Sequence, residues 1–546
     1  MMDSPLTLSA LLRHTERLHS AREIVSRRAD RSLHRYTYRE CLQQARRLAA
    51  ALRGLGMRPG DRIATFAWNH HRHLEAYFGT SASGLVLHTL NLRLHPDDLA
   101  FIASDAGDRV AIVDDVLWPA FEKFAARAPF EHVIVITEDG AAPAGTLDYD
   151  TLLAASEPEP FPDLLDEYAA ASMCYTSGTT GKPKGVVYSH RSLVLHSMGT
   201  IIPDVMDLSC TDTILPVVPM FHANAWGAPY SAALVGAKQV LPHRFLDPAS
   251  MVELMAAERV TVSAGVPTIW LAILDYLDAN PHTHDLSALR YMTVGGSAAP
   301  ESMIRAFEER HGLRIMQGWG MTELSPVGSF TTDRATMAES TPAERQGYRA
   351  TAGQPLPFID VRARGDDGLV PWDGQTMGEL EVRGPWVAAA YFGGAGEESF
   401  TSDGWFRTGD IVTIGANGEL VIQDRCKDLV KSGGEWISSV LLENHLMGHP
   451  QVAEAAVIAV PHPQWLERPL AVVVLRAGQA PDSEALRTFV AEQFAKWWVP
   501  DAIVFTDALP RTGTGKILKL ALRETYREQY SLATAHEADS RNSRPA

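Results

Sequence analysis

Cysteine is scarce in this chain, positive charge is outweighed, and long apolar runs are missing. The 546 residues hold four cysteines, Cys41, Cys174, Cys210 and Cys426, far apart and never in C-x-x-C spacing. That excludes a disulfide framework and a cysteine-based zinc site, and it fits a reduced, cytoplasmic setting. Lysine and arginine number 49 against 66 acidic residues, a formal net charge of −17. A nucleic-acid binder would show a basic face, so that class is set aside, although a locally basic pocket stays compatible. No stretch reaches the ~18 apolar residues that a membrane-spanning helix needs. Leu6–Leu12 is brief and soon followed by charge, so it does not read as a secretory core. There is no G-x-S-x-G nucleophile elbow, which argues against Ser-His-Asp hydrolysis. Internal repeats are absent.

The chain is too long for one core, so two or more domains are expected. Residues 1–36 read as an irregular lead-in. Thr37-Tyr38-Arg39-Glu40 has capping-box form and starts a helix that Gly56 ends. Apolar strands then alternate with helices: strand 63–67, helix to about Ser83, strand 86–90, helix 96–106, strand 110–114. This is the pattern of a doubly wound α/β sheet, in which ligands bind at the carboxyl ends of strands. Asn69-His70-His71-Arg72-His73 is read as solvated imidazoles at a helix start, because adjacent histidines do not share a helix face as metal ligands do. From about residue 350 short alternating strands predict a small β-barrel subdomain. The polar run Asp424–Asp428 is taken as a domain boundary. The expected organisation is therefore an N-terminal domain over 1–423, a small α+β domain over 424–530, and a polar, disordered tail over 531–546.

One stretch organises the rest: Tyr175-Thr176-Ser177-Gly178-Thr179-Thr180-Gly181-Lys182-Pro183-Lys184-Gly185. Glycines let backbone N–H groups turn toward an anion, hydroxyls donate to phosphate oxygens, and lysines add charge. Set between two apolar strands, it reads as a phosphate cradle. It is not a Walker A loop, whose G-x-x-x-x-G-K-[ST] spacing does not fit.

This stretch resembles the signature loop of the adenylate-forming superfamily, and further motifs follow in the family's order. Gln317-Gly318-Trp319-Gly320-Met321-Thr322-Glu323 alone is as compatible with a structural turn as with a purine site. By resemblance, Trp319 meets adenine, Thr322 the α-phosphate and Glu323 a Mg²⁺ ion, with Thr176 as the second metal contact. Gly295-Gly296-Ser297-Ala298 resembles the segment against which adenine and the acyl carbonyl lie, and without the family a strand-to-helix turn explains it equally well. Thr408-Gly409-Asp410 is similar to the motif whose aspartate takes both ribose hydroxyls. Asp424–Ser438 resembles the hinge of fatty acyl-CoA synthetases. There Arg425 would touch ribose or phosphate, rotation would centre on Asp424–Lys427, and Lys431 and Trp436 would face nucleotide or CoA after rotation. Pro510-Arg511-Thr512-Gly513-Thr514-Gly515-Lys516 carries the family's mobile lysine, Lys516, which bridges the acid and the α-phosphate.

Pro219-Met220-Phe221-His222-Ala223-Asn224-Ala225-Trp226 resembles the acyl-pocket segment. Trp226 is the gate candidate, Ala223 and Gly296 share the pocket, and His222 is read as a site residue or a packed core histidine. The resemblance covers roughly 20–525 and is closest in texture to medium- and long-chain fatty acyl-CoA ligases, through Lys431–Ser438 and Lys496-Trp497-Trp498-Val499-Pro500-Asp501. It departs at Leu466, where relatives often carry Gly or Asp, which puts the CoA-side surface in question. The resemblance implies ATP and CoA as co-substrates, Mg²⁺, a fatty acid of unread length and a homodimer. The alternatives are a ligase for 3-(methylthio)propionate or another short acid, an acyl-AMP ligase feeding a carrier protein, and a catalytically dead acyl-adenylate binder.

Overall fold

The computed structural model describes residues 2–138, 140–163, 166–176, 182–332, 340–433, 435–511 and 516–530. Ser177, Gly178, Thr179, Thr180 and Gly181 of the cradle, the Thr512–Gly515 segment and the 531–546 tail lie outside the described residues, as do Gly434 and the side chain of Glu435.

Two large sheets form the N-terminal part. The seven-stranded sheet runs in the order Leu147–Asp148, His132–Ile136, Asp108–Asp114, Arg62–Phe66, Val86–Thr89, Ala170–Tyr175, Gly185–Ser189. It is parallel until the last pair, which is antiparallel and carries the cradle between its strands. The nine-stranded sheet has a parallel centre, Glu23–Arg27, Lys238–Leu241, Thr213–Pro216, Val262–Gly265, Tyr291–Val294 and Ile315–Gly320, with antiparallel strands at both edges. Every residue of the central strands Val86–Thr89, Thr213–Pro216 and Tyr291–Val294 is buried, as expected where helices cover both faces.

The lead-in is structured, contrary to the expectation from sequence. Leu8–His19 is a helix capped by Thr7, and it buries Leu8, Leu11, Leu12 and Thr15. Glu23–Arg27 then pairs in parallel with Lys238–Leu241, so the start of the chain completes the larger sheet. Tertiary pairing with residues more than 200 positions away makes this order, and no local pattern announces it.

The histidine run is also corrected. His70, His71 and His73 are buried, not solvated. His70 Nε2 lies 2.8 Å from Asp114, His73 bridges the Trp68 carbonyl and Thr65, and His71 meets Ser26. Burial pushes the His70 imidazole down to about 3 and that of His73 to about 4, so both are neutral polar core.

The capping box at Thr37 and Glu40 is present, and Gly56 follows the helix with a φ of +86°. A five-stranded antiparallel sheet follows the large sheets, in the order Gly368–Leu369, Asp360–Gly365, Gly378–Arg383, Phe406–Ile414, Leu420–Arg425. Beyond it, Val452–His462 and Leu466–Leu475 pair as a long hairpin, with the helices Ser439–Met447 and Ser483–Gln493 on a separate apolar core.

Candidate active site

The cradle is closed at its base by backbone. Thr176 N–H donates to the Lys184 carbonyl at 2.9 Å, and Lys184 N–H donates to Thr176 Oγ1 at 3.1 Å. Tyr175, the last residue of the entering strand, is anchored by its hydroxyl to Asp105 at 2.6 Å. The Lys184 ammonium lies 4.7 Å from the centre of the Tyr391 ring and 3.5 Å from Glu398. The hydroxyl of Tyr391 in turn donates to Glu323 Oε1 at 2.5 Å. A chain of contacts thus runs from Thr176 through Lys184 and Tyr391 to the buried Glu323. Tyr391 carries no sequence signal of this role, since it sits in an irregular Gly-rich stretch.

Glu323 follows the strand Ile315–Gly320 in a short 3₁₀ turn. Tyr188 of the cradle's exit strand donates to the Thr322 carbonyl at 2.6 Å, holding this turn against the cradle. A buried carboxylate with one oxygen accepting from Tyr391 keeps further lone pairs for a hard cation. Among the described residues no group of three or more His, Cys, Asp or Glu could hold a metal ion. A Mg²⁺ ion bound mainly through substrate phosphates needs only one or two protein oxygens, so Glu323 and Thr176 fit it chemically.

Asp410 is 2% exposed and accepts from two sides. Trp319 Nε1–H donates to Oδ2 at 2.9 Å, and Arg425 Nε lies 2.8 Å from Oδ1. Asp410 and Arg425 face each other across adjacent strands. Gln317 behaves differently from its neighbours Gly318 and Trp319. Its side chain accepts from Ala299 N–H at 2.9 Å and donates to the Thr351 carbonyl at 2.8 Å, so its amide is spent on the fold. A Cβ on Gly295 would stand 2.8 Å from the Trp226 ring and 3.0 Å from the Gly318 carbonyl, so only glycine lets these three approach. Gly296, at φ +84°, and the exposed Ser297 follow directly.

Lys516 comes from the far end of the chain. The residue is exposed at the surface, yet crowding around its ammonium pushes it down to about 8, first through local loss of solvent, with Arg425 and Lys427 adding to the shift and Asp410 and Glu323 opposing it. His222 is pushed down to about 4 by burial, with the positive charges of Lys516 and Arg93 adding to it. Lys516 is therefore within electrostatic reach of His222, Glu323, Asp410 and Arg425 together. Arg93, on the loop after Val86–Thr89, is a cation that sequence reasoning missed. Its guanidinium lies 5.9 Å from the Phe221 ring centre, and burial lowers its pKa.

Lys431 and Trp436 are not part of this cluster. They pair with each other on the antiparallel strands Val430–Ser432 and Glu435–Ile437, the ammonium 4.6 Å from the ring centre. The motifs that set the texture of this region meet at Arg468, which is 7% exposed. It bonds Ser432 at 3.0 Å, the Trp497 carbonyl at 2.6 Å and Asp501 at 2.7 and 2.8 Å. Leu466 stands at the end of the same hairpin, 69% exposed at φ +70°. That backbone suits Gly or a short polar residue, so the Leu found here is strained, and nothing in the structure explains the departure.

Comparison with known proteins gives the family. The model of the AMP-binding enzyme family matches residues 12–392, and that of the AMP-binding enzyme C-terminal domain matches 441–516. A long-chain-fatty-acid–CoA ligase of Thermus thermophilus is 49% identical over 97% of both chains. A medium-chain-fatty-acid–CoA ligase of Ectopseudomonas oleovorans is 44% identical over 96% of this chain and 97% of its own. A 3-methylmercaptopropionyl-CoA ligase of Ruegeria pomeroyi is 44% identical over 97% and 98%. Among solved structures, an anthranilate CoA ligase in complex with anthranoyl-AMP superposes with a TM-score of 0.83 at 25% identity, covering 98% of this chain and 99% of its own. The chain belongs to the AMP-binding enzymes, with both the large domain and the C-terminal domain of that family present.

Proposed function

We propose that the protein activates a fatty acid, of medium chain length, with ATP and passes the acyl group to coenzyme A. The observation that carries this reading is buried Asp410, which holds the Trp319 indole at 2.9 Å and Arg425 at 2.8 Å, with the Lys516 ammonium in electrostatic reach of it and of Glu323. A buried carboxylate, a ribose-sized acceptor beside an indole, and a lysine delivered from a distant loop suit nucleotidyl transfer to a carboxylate.

In the first step a carboxylate oxygen of the acid attacks the α-phosphorus of ATP, and the bond to the β-phosphate oxygen breaks. The products are acyl-AMP and pyrophosphate. Asp410 takes the ribose hydroxyls with the lone pairs that Trp319 and Arg425 leave to it. Thr176 through Gly181 and Lys184 grip the β- and γ-phosphates, Gly296, Ser297 and Gly318 line the adenine, and Thr322 meets the α-phosphate. Lys516 neutralises charge between the acid and the α-phosphate. A bound Mg²⁺, held by Glu323 and Thr176, would supply charge neutralisation on the phosphates. Neutral His222 and the Trp226 ring flank the acid's carboxyl end, with Ala223 beside them. In the second step the small domain turns about Asp424–Lys427, Lys516 leaves, and Lys431 and Trp436 arrive. The thiolate of CoA attacks the acyl carbon, and AMP departs with the electron pair of the broken C–O bond.

A 3-(methylthio)propionate reading stands second, supported by the 44% identity to the Ruegeria pomeroyi ligase. A homodimer in a cytoplasmic setting completes the proposal, and no helix among the described residues is long and apolar enough to cross a membrane. The test is a panel of acids from C2 to C16 plus 3-(methylthio)propionate, scored for pyrophosphate and thioester with and without CoA. Thioester formation peaking at C6 to C10 is expected. Pyrophosphate without thioester for every acid, CoA present, overturns the ligase reading, and a peak only at 3-(methylthio)propionate replaces the substrate.

A further inference from the structure

Between His222 and the helix Ala228–Val235 the backbone winds the wrong way. Ala223, Asn224, Ala225 and Trp226 have φ values of 43°, 50°, 49° and 56°, and Gly227 follows at 77°. Ala225 N–H donates to the His222 carbonyl at 3.1 Å, closing a left-handed turn. L-residues avoid this conformation because Cβ crowds the following carbonyl, and only Gly, Asn and Asp visit it readily. Here two alanines and a tryptophan adopt it in succession. Such a run persists only where the surroundings over-determine it, and it collects at functional sites.

The surroundings are specific. Asn224 is the one hydrogen-bonding side chain between Ala223 and Ala225, and it is 0% exposed. Its amide donates to Ser172 Oγ at 3.0 Å, and its carbonyl accepts from Cys174 Sγ at 3.4 Å and lies 3.3 Å from Ser172 Oγ. Ser172 also donates to the Leu87 carbonyl at 3.0 Å. Ser172 and Cys174 are two apart on Ala170–Tyr175, so they share one face of the strand that delivers Thr176 to the cradle. One amide thus ties the left-handed turn to the phosphate-binding strand. The turn fixes where its two ends go: His222 toward Lys516 and Arg93, and Trp226 against Gly295.

We infer that Asn224 is a positioning residue: by locking this left-handed turn to the cradle strand it sets His222 and Trp226 around the carboxyl end of the acid, in register with the α-phosphate. The inference rests on the reading that the acid lies between those two rings. It assigns Asn224 an effect on acid binding and not on ATP binding, because its partners stand behind the turn and not in the nucleotide contacts.

Asn224→Ala, Ser172→Ala and the double variant would be compared with the unaltered enzyme in steady-state pyrophosphate release with octanoate, varying acid and ATP separately. Losing a buried hydrogen-bonded tie of this kind is expected to raise KM for the acid about tenfold in Asn224→Ala and several-fold in Ser172→Ala. KM for ATP should stay within about threefold, the range of a merely local change. The double variant should be no worse than Asn224→Ala alone, since both break one link. An unmoved acid KM overturns the inference, and so does an ATP KM that rises in step or a double variant that multiplies the two losses. If Asn224→Ala does not fold, Ser172→Ala decides alone by the same split. Failure of the unaltered enzyme to release pyrophosphate with any acid would sink the activation reading and the inference with it. An active enzyme with insensitive variants sinks the inference only.

Discussion

Asp410→Asn is the most informative single change at the nucleotide site. A carboxylate has about four lone-pair sites, and the structure uses two of them, one for the Trp319 indole at 2.9 Å and one for Arg425 at 2.8 Å. Two remain for the ribose hydroxyls. The amide keeps the volume and one acceptor oxygen but loses the charge. A hydrogen bond to a charged acceptor is worth ~1.5–3 kcal/mol, so losing the advantage at two hydroxyls removes ~3 kcal/mol. That corresponds to about 100-fold in kcat/KM for ATP. The fold should tolerate the change, because Arg425 is 38% exposed on its side chain and is not left as an unsolvated charge when Asp410 loses its own. The assay is pyrophosphate release at saturating acid, with ATP and with 2′-deoxy-ATP. The unaltered enzyme should pay a large penalty for the missing hydroxyl, and Asp410→Asn should pay almost none, since its acceptor is already impaired. An undiminished deoxy penalty in the variant would refute the ribose role, whatever happens to the absolute rate.

Four further outcomes are expected. Because the Lys516 ammonium is pushed down to about 8, kcat/KM for pyrophosphate release should fall as pH rises through that value, and Lys516→Arg should carry the fall beyond pH 10; a profile flat to pH 9.5 contradicts the role. Glu323→Gln should weaken the apparent Mg²⁺ requirement by at least about tenfold while leaving the melting temperature near its original value, because only the charge at the metal is removed; unaltered Mg²⁺ dependence counts against it. His70 and His243 at about 3 and His73 at about 4 bind protons only on unfolding near pH 6.5, so stability is present above that pH and is lost as pH falls. Each would cost about 2 kcal/mol between pH 6.5 and 5, with Asp114, raised to about 6 by burial, partly opposing; equal urea midpoints at pH 7 and pH 5 would refute this. Leu466→Gly should stabilise the protein by ~0.5–1 kcal/mol, since a left-handed Leu is strained and loses little packing; a lower midpoint would show that the exposed side chain is held by something else.

The sequence carried the elements whose signals are local. The helix over 96–106 forms with the bounds expected from the sequence, and the Thr37–Glu40 capping box starts the helix it predicts. The N-terminal strand Glu23–Arg27 was not legible, because its partner Lys238–Leu241 lies far along the chain. The histidine run was misjudged for a related reason. Imidazoles are amphipathic, and their burial depends on acceptors such as Asp114 and Thr65 that arrive from neighbouring strands. Within the site, Glu323, Asp410, Arg425 and Lys516 were singled out by the resemblance to the adenylate-forming family, since each motif alone is as compatible with an ordinary turn or loop. The residues that hold them in place, Tyr391, Tyr188 and Asn224, act through a single hydroxyl or amide each, and no spacing rule marks such a contact in advance.

The proposed withdrawal of Lys516 would have to pass through the junction between the two parts of the chain. Asp424 and Arg425 are neighbours, yet they are tied to opposite sides. Asp424 accepts from Ser439 N–H and Oγ, both at 2.6 Å, at the start of the helix Ser439–Met447. Lys519 braces the same point, 2.6 Å from Ser439 Oγ and 2.7 Å from Glu443. Arg425 instead pairs with Asp410, and Cys426 N–H donates to the Gly409 carbonyl at 2.9 Å. A turn about the bonds after Arg425 would keep its pair with Asp410 but must break the contacts of Asp424 with Ser439 and of the Gln423 carbonyl with Ser438 Oγ, because Gln423 and Asp424 precede the pivot and their partners follow it. Away from the pivot the tie is slighter. The Arg476–Asp275 ion pair reaches across at 3.4 Å with side chains 45% and 65% exposed, and a pair so solvated contributes ~0–1 kcal/mol. In the arrangement seen here the small domain is therefore held mainly by the contacts beside the proposed pivot, Asp424 with Ser439 above all, and a turn that withdraws Lys516 would be opposed there.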